Sequence, residues 1–417
     1  MEEALEWFVG IDWASEKHRV CLLDGTGRCV GERDVPHGGA GLAELCSWLL
    51  TATGAPASRI AVAIEVPHGP VVEALLEQGF AVYGINPKQL DRFRDRFTVA
   101  GAKDDSRDAH VLGDAVRTDR HALRRLAVEH PLVIELREFS RLSDDLQQEQ
   151  QRLVNRMREQ LWRYYPQALE LTDDLTSDWF LALWRQAPTP AKAARLRQAT
   201  VAHLFKAHRV RRLQPAEALA ILRRPPLAVA AGTTAAACAH IETLIARLAL
   251  IKRQLKAAHR RLDELCAQLD AEDVPGQPFE QRDLAILRSL PGVGRIVQAT
   301  LLAEAPQLVR RRDYDALRAF CGVAPVTRRS GKSCIVIRRL ACNKRLSNAV
   351  FHWAKAAVQH DPASRQRYGA LRQRGHSQGR ALRSVADRAL YVLCTLLRRQ
   401  TLFDPDHARP ALMAAAA

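Results

Sequence analysis

The chain has 417 residues, of which 47% are hydrophobic and 26% are charged. This composition excludes a disordered chain, and the length predicts about two to four domains. The formal net charge is +16, and residues 281–417 alone contain 25 Lys and Arg against 8 Asp and Glu, a net +17. Such segregated charge favours a polyanionic partner, most commonly nucleic acid, over a merely solvated arginine-rich surface.

Cysteine usage points to a reducing compartment. The nine cysteines form no CxxC pair, and none lies near a histidine at metal-ligand spacing. The start of the chain is acidic, and the apolar stretch at 226–251 is interrupted by polar residues. We therefore expect a cytoplasmic protein without a leader and with no membrane partner. The cysteines predicted to be buried free thiols are Cys21, Cys46, Cys266 and Cys394.

Residues 6–120 alternate short apolar strands with helical segments. This order predicts an α/β domain with a mixed sheet whose first strands form a hairpin meander. Strand 60–64 is apolar throughout, which is typical of a strand buried on both faces. The predicted strands are 7–11, 19–23, a run to Val35, 60–64 and 81–85, and the predicted helices are 41–50, 71–78 and 104–116.

The remainder of the chain is predicted to be helical. Apolar residues at three/four spacing predict two long coiled-coil helices, at 131–165 and 241–269, that pair either within the chain or between chains. Residues 281–403 are expected to be helical, with an irregular basic segment at 322–343. The resulting division is 1–125, 126–280, 281–405 and a tail at 406–417.

Four acidic residues in the first 125 residues form a candidate metal site. Asp12 and Glu65 each directly follow an apolar strand, and Asp105 and Asp108 share one face of a predicted helix. Asp104 would share that face with Asp108 as well. Hard oxygen donors that converge at one sheet edge can hold one or two Mg²⁺ ions. Each acid taken singly is better explained as a cap or a surface charge, but the set favours the metal site.

A glycine-rich turn in the last third is a candidate phosphate contact. Residues 286–295 match the spacing of a helix-hairpin-helix turn and lead into a predicted helix at 296–304. Gly292, Gly294 and Arg295 would bring backbone N–H groups and a cation to a phosphate at the start of that helix. The alternative is an ordinary Pro-Gly turn between packed helices.

A serine in the basic segment is a candidate nucleophile. Ser330 is followed by Gly331 and lies among Arg328, Arg329 and Lys332. Positive charge would stabilise the transition state of attack on a phosphate, and a glycine without Cβ leaves access. A Ser-Gly turn that merely touches phosphate is the alternative.

Together these segments resemble the insertion-sequence-110 family of transposases over nearly the whole chain. The resemblance implies a ribonuclease-H-like domain of the RuvC type with a DEDD carboxylate set, and a C-terminal transposase domain with a serine. The segments that support it are Phe8-Val9-Gly10-Ile11-Asp12, Ile64-Glu65, Asn86-Pro87, 102–109, 290–294, 319–325 and Ser330-Gly331.

Matched residue by residue, the resemblance assigns catalytic metal ligands and a nucleophile. The implied ligands are Asp12, Glu65, Asp105 and Asp108, and Asp104 falls on the family's threonine. The implied nucleophile is Ser330, with Ser333 a weaker candidate. The chain departs from the family at Cys342-Asn343, where Gly-Asn is usual, and at Ser347, where arginine is usual.

The resemblance implies a recombinase of a mobile element. It would excise and insert DNA through a covalent phosphoserine with Mg²⁺, guided by a structured bridge RNA that pairs with donor and target DNA. The implied assembly is a tetramer, a dimer of dimers, acting at the nucleoid of a bacterial cell. Two other hypotheses are a RuvC-like endonuclease that cuts junctions by hydrolysis, and a non-catalytic architectural nucleic-acid-binding protein.

Overall fold

The computed structural model describes residues 4–97, 105–271, 282–331 and 333–405, and Asp105 only by its backbone. The chain forms two compact units, and the boundary between them in the sequence falls between His130 and Pro131. The first unit contains a mixed sheet with helices and the second is mostly helical, so the expected class of α/β plus α is confirmed. The finer division into four segments stays a prediction.

The sheet of the first unit has the order β3-β2-β1-β4-β5-β6. Its centre is parallel, because β1 pairs in parallel with β4, and β4 with β5. The first three strands form the expected antiparallel meander, and β6 adds an antiparallel edge. The strands are β1 (Trp7–Asp12), β2 (Lys17–Leu23), β3 (Cys29–Pro36), β4 (Ile60–Ile64), β5 (Ala81–Gly84) and β6 (Arg124–Arg125).

Helices cover both faces of this sheet. Large side chains of β4, such as Ile60 and Val62, pack with α1 and α2 on one face, whereas Ala61 and Ala63 face α4 on the other. The small residues let α4 lie close to the sheet, and a Cβ on Gly10 of β1 would be 1.8 Å from the carbonyl oxygen of Ala109. The helices of this unit are α1 (Gly39–Thr53), α2 (Pro70–Glu77), α3 (Pro87–Arg94) and α4 (Asp105–Asp119).

Helix α3 was not among the predicted elements. Its start is nevertheless encoded locally, because the Asn86 side chain accepts a hydrogen bond from the backbone N–H of Lys88, and Gln89 completes a capping box. Pro87 occupies the first helical position, where a missing N–H costs nothing. This signal at Asn86-Pro87 could have been found in the sequence.

The second unit is organised around two long helices, α5 (Pro131–Tyr164) and α10 (Thr233–Ala271). They pack on each other within the chain, and pairing between chains stays a prediction. Leu153 and Met157 of α5 share this core with Leu244 of α10. The short helices between them are α6 (Asp178–Gln186), α7 (Pro190–Arg195), α8 (Gln198–Ala207) and α9 (Pro215–Leu222).

By length and composition alone, α10 could cross a membrane, and it is the one helix among the described residues that meets both conditions. Its leucine and isoleucine stripe, however, is buried against α5. The core helix of a globular unit has the same properties, so this single helix is weak evidence for a membrane span.

The C-terminal part confirms the expected helices but corrects one expectation. The segment expected to be irregular, 322–343, contains a two-stranded antiparallel hairpin of β7 and β8. The β-branched run Ile335-Val336-Ile337 fits a strand, but the surrounding cluster of cations hid this signal. The elements are α11 (Asp283–Ser289), α12 (Arg295–Glu304), α13 (Pro306–Arg311), α14 (Tyr314–Phe320), β7 (Val326–Ser330), β8 (Ser333–Ile337), α15 (Lys344–His360), α16 (Pro362–Gln373) and α17 (Gln378–Arg399).

Candidate active site and nucleic-acid interface

Two acidic residues lie at one edge of the central sheet. Asp12 is the last residue of β1, and Glu65 directly follows β4. Ile11 pairs with Ile64 in parallel register, so Asp12 and Glu65 continue the same two neighbouring strands in the same direction. Both residues are partly exposed. The predicted convergence of these two acids is therefore present in the backbone.

The third acid comes from the helix that lies on β1. Asp108 is in the first turns of α4, beside Ala109, whose backbone contacts Gly10. Its side chain is only 3% exposed. Asp105 is the first residue of α4, three positions earlier, but its side chain lies outside the described residues, as does all of Asp104. Which of these two acids faces Asp108 thus stays a prediction.

A cation is already built into this acidic edge. Arg94, the last residue of α3, donates two hydrogen bonds of 2.6 Å from Nε and Nη2 to the two carboxylate oxygens of Asp108. The hydrogen bonding with Asp108, together with the charges of Asp108, Asp91 and Glu65, raises the pKa of Arg94 above its ordinary value. Glu65 and Asp108 thus both act on one guanidinium. Sequence reasoning missed Arg94 because it missed α3.

These residues fit a divalent cation. Asp12, Glu65 and Asp108 supply hard carboxylate oxygens from two strand ends and one helix, the donor chemistry that Mg²⁺ prefers. Asp108 is a buried carboxylate whose charge requires a positive partner, and Arg94 supplies it here, so a metal would have to share or displace this guanidinium. A metal held here would lie beside Arg94.

The Arg94–Asp108 pair is expected to be important for the stability of the first unit. In Arg94→Gln, the buried carboxylate loses a bidentate partner, so we expect the free energy of unfolding to fall by about 2–3 kcal/mol. Chemical denaturation without added metal measures this loss. Arg59→Gln, which breaks an exposed pair with Glu6, is the matched control and should cost below about 1 kcal/mol. Equal losses in the two variants would contradict the importance of the buried pair.

The glycine turn of the second unit, which is the candidate phosphate contact, also packs closely against α15. Gly292 has φ of +80°, and a Cβ there would be 2.6 Å from the backbone nitrogen of Ala357. Trp353 anchors the turn by donating from Nε1 to the carbonyl of Pro291 at 2.9 Å. Gly292 is therefore required by the close approach of α15, whatever else the turn does.

Gly294 and Arg295, the next residues of interest in this turn, are more open than Gly292. Gly294 precedes the first residue of α12, and open space surrounds the position of its absent Cβ. A phosphate could approach the backbone here. Arg295 is half-exposed and forms an ion pair of 2.5 Å with Asp263, so a phosphate would have to compete with that carboxylate.

Ser330 lies at the tip of the β7–β8 hairpin. It ends β7, pairs with Ser333 across a two-residue turn, and is exposed. Gly331 in this turn has φ of +53°, a left-handed conformation that suits glycine. Among the residues that the structure describes, the Ser330 hydroxyl has no hydrogen-bond partner. Its exposed position at the tip suits contact with a substrate.

The hairpin presents uncompensated charge and apolar surface. Arg328 and Arg329 are exposed, and neither pairs with a carboxylate in the described part of the chain, whereas Arg312, Arg318 and Arg345 all do. The third predicted cation, Lys332, lies outside the described residues. The apolar side chains exposed on and after the hairpin are Ile335, Val336 and Leu340.

A basic cavity of about 390 Å³ lies at the base of the hairpin. Arg338, Lys344 and Arg383 contribute its cations, and Ser347 lines it as well. Burial, followed by the charges of Arg338 and Arg380, lowers the pKa of Arg383. Like charges gathered in this way favour an anionic ligand such as a phosphate. Sequence reasoning missed these residues, because the arginines are spread over 45 positions of a uniformly basic segment.

The departures from the family pattern are compatible with the local structure. A Cβ at Gly322 would be 2.7 Å from Sγ of Cys342, so the two residues pack closely. Asn343 caps α15 by accepting from the backbone N–H of Leu346 at 3.0 Å, and its amide donates to Glu304 at 2.9 Å. The loop after the hairpin is therefore held in place.

An acidic edge on a mixed α/β sheet, followed by a basic helical unit, defines a class of enzyme that acts on nucleic acid. Comparison with known proteins agrees. A DEDD transposase model named for IS110 matches residues 9–166. A second model, described as the transposase IS116/IS110/IS902 family, matches residues 284–369.

Individual relatives cover from half of the chain to all of it. The "Mini-circle putative transposase for IS117" of Streptomyces coelicolor is 35% identical over 425 residues, which covers 100% of both chains. "Putative transposase y4uE" of Sinorhizobium fredii is 61% identical over 213 residues, 51% of this chain and 59% of that protein. A 43.6 kDa protein of insertion element IS110 from Streptomyces coelicolor is 26% identical over 95% of both chains.

The chain belongs to the IS116/IS110/IS902 family of transposases. It is a DNA transposase, and the match to a DEDD model supports dependence on a divalent metal.

Proposed function

We propose that this transposase cuts and rejoins DNA through a covalent bond between Ser330 and the scissile phosphate. Mg²⁺ held by Asp12, Glu65, Asp105 and Asp108 would assist both steps. The observation that carries the metal site is the arrangement of Asp12, Glu65 and Asp108 around one edge of the sheet. We further propose that the first unit is a ribonuclease-H-like domain of the RuvC type, which the position of these acids at neighbouring strand ends supports.

The chemistry of Ser330 follows from its position. Its oxygen loses a proton to water, bonds to phosphorus and displaces the 3′ oxygen, which takes up a proton and leaves as a free 3′-hydroxyl. Arg328 and Arg329 beside it stabilise the charge of the transition state. The acids of the first unit would hold a divalent ion, whose charge would polarise the phosphate and the leaving oxygen. Rejoining reverses the steps and returns the proton to Ser330, so no energy source is consumed.

Recognition of DNA is divided between the protein and a guide. The exposed arginines, the turn at Gly294 and the basic cavity suit contacts to phosphates, which carry no base sequence. A structured bridge RNA would supply sequence by pairing with donor and target DNA. We propose a tetramer, a dimer of dimers, since apolar side chains on the hairpin are exposed in the single chain. It would act at the nucleoid in the bacterial cytoplasm.

Trapping the intermediate tests this function. The full chain is incubated with RNA from the element, DNA that carries an element end, and Mg²⁺, and the reaction is then denatured. We expect a protein–DNA adduct that survives denaturation and maps by mass spectrometry to Ser330. Cleavage without any adduct would instead support metal-dependent hydrolysis, which the separate clustering of the acids in the first unit also permits.

A further inference from the structure

A second group of potential metal ligands lies on the first unit, on strands away from the ends of β1 and β4. Cys21 of β2 and Cys29 and Glu32 of β3 place their donor atoms within 4.8 Å of one another. The two sulfurs are 3.6 Å apart, and Sγ of Cys29 is 3.6 Å from Oε1 of Glu32. Nδ1 of His110, on α4, is 3.8 Å from Sγ of Cys21.

These distances suit a tetrahedral metal. With a zinc–sulfur bond of about 2.3 Å, two ligands of a tetrahedral site lie roughly 3.5–3.8 Å apart. Thiolate sulfur, imidazole nitrogen and carboxylate oxygen are all zinc ligands, whereas Mg²⁺ avoids sulfur. The ligand chemistry therefore differs from that of the acidic edge.

Neighbouring residues orient the carboxylate of this group. Oε1 of Glu32 faces the sulfur of Cys29, while Oε2 accepts hydrogen bonds from Arg19 at 2.5 Å and from Ser106 at 2.9 Å. Hydrogen bonding of the distal oxygen is what holds a metal-ligating carboxylate in place. Through Ser106, the group is connected to the first turn of α4.

We propose that Cys21, Cys29, Glu32 and His110 form a structural zinc site that ties β2 and β3 to α4. Nδ1 of His110 lies beside Sγ of Cys21 but outside the close group of the other three donors, so His110 would have to turn toward them to become the fourth ligand. The bound metal would fix the start of α4 two residues from Asp108, and hence the position of that acid. Burial, and then the neighbouring Cys29 thiol, raise the pKa of Cys21, so zinc binding must displace the thiol proton.

A disulfide between the two cysteines is the competing interpretation. A sulfur–sulfur bond is about 2.05 Å long, and the two sulfurs lie 3.6 Å apart without a bond in this structure. A disulfide would also leave the approach of Glu32 and His110 without a role. The zinc site accounts for all four side chains.

Metal binding by the full-length chain tests this proposal. Metal analysis of protein purified without chelator is expected to find one zinc per chain. Cobalt added after zinc removal is expected to give a sulfur-to-cobalt charge-transfer absorption. Cys29→Ser should weaken cobalt binding at least about tenfold and reduce this absorption. Because Cys29 is exposed, this variant is expected to fold.

Matched variants keep the test specific. Cys334→Ser, at the other exposed cysteine, should retain both the affinity and the spectrum. Glu65→Gln should also retain them, since the acidic edge offers no sulfur. Absence of the sulfur band, or an unchanged band in Cys29→Ser, would overturn the zinc site. So would a count of free thiols two below the nine that the chain contains, because that result indicates the disulfide.

Discussion

Replacing Ser330 by alanine is expected to abolish the protein–DNA adduct and to lower the rate of strand transfer by at least about 10⁴-fold. The physical reason is that alanine has no hydroxyl oxygen, so position 330 can no longer form a bond to the scissile phosphorus. The hydroxyl is exposed at a hairpin tip, so its loss leaves the fold unchanged. Strand transfer on a DNA substrate with element ends measures the rate, and a denaturing gel detects the adduct.

Ser333 is the matched control for this experiment. It pairs with Ser330 across the same turn and is equally exposed. Ser333→Ala should therefore retain the adduct and nearly all of the activity. An adduct that persists in Ser330→Ala but disappears in Ser333→Ala would move the nucleophile three residues along the chain. Activity that survives in both variants would favour hydrolysis.

The second large effect is expected from Glu65→Gln. The amide keeps the size of the side chain but removes a charge from the acidic edge, so a divalent cation binds less tightly. We expect strand transfer to fall by about 10²–10³-fold, with a rise of at least about tenfold in the Mg²⁺ concentration needed for half-maximal activity. A titration of activity against Mg²⁺ measures both quantities.

The control for this charge removal is Glu77→Gln on α2, an exposed acid outside the cluster. It should leave the Mg²⁺ titration unchanged. If Glu65→Gln behaved in the same way, Glu65 would not be a metal ligand. The hypothesis of a non-catalytic architectural protein would gain support only if the wild-type protein also lacked strand-transfer activity.

Local sequence patterns were sufficient for most elements of the first unit. The predicted strand 60–64 and β4 have the same bounds, because five consecutive apolar residues are typical of a strand buried on both faces. Helix α12 begins one residue before the predicted helix at 296–304. The hairpin of β7 and β8 was not expected, since the arginines of β7 and the exposure of both strands hide the short β-branched run of β8.

The candidate sites show a similar division. Asp12 and Glu65 could be placed from the sequence, because each follows its strand directly and parallel strands end at a common edge. Ser330 could be singled out from its neighbours. Arg94, in contrast, is important only because α3 brings it against Asp108, and the arginines of the basic cavity are joined by the fold of 322–386.

Sequence spacing therefore determines which acids can end neighbouring strands and which hydroxyl sits among cations. It cannot show contacts between distant positions. Cys21 and His110 are 89 residues apart, and the cysteines have no spacing typical of a metal site. They meet because Gly10 lets α4 lie against β1, beside β2. The packing of α4 on the sheet thus brings Asp108 to Arg94 and His110 to Cys21. This packing exists only in the folded chain.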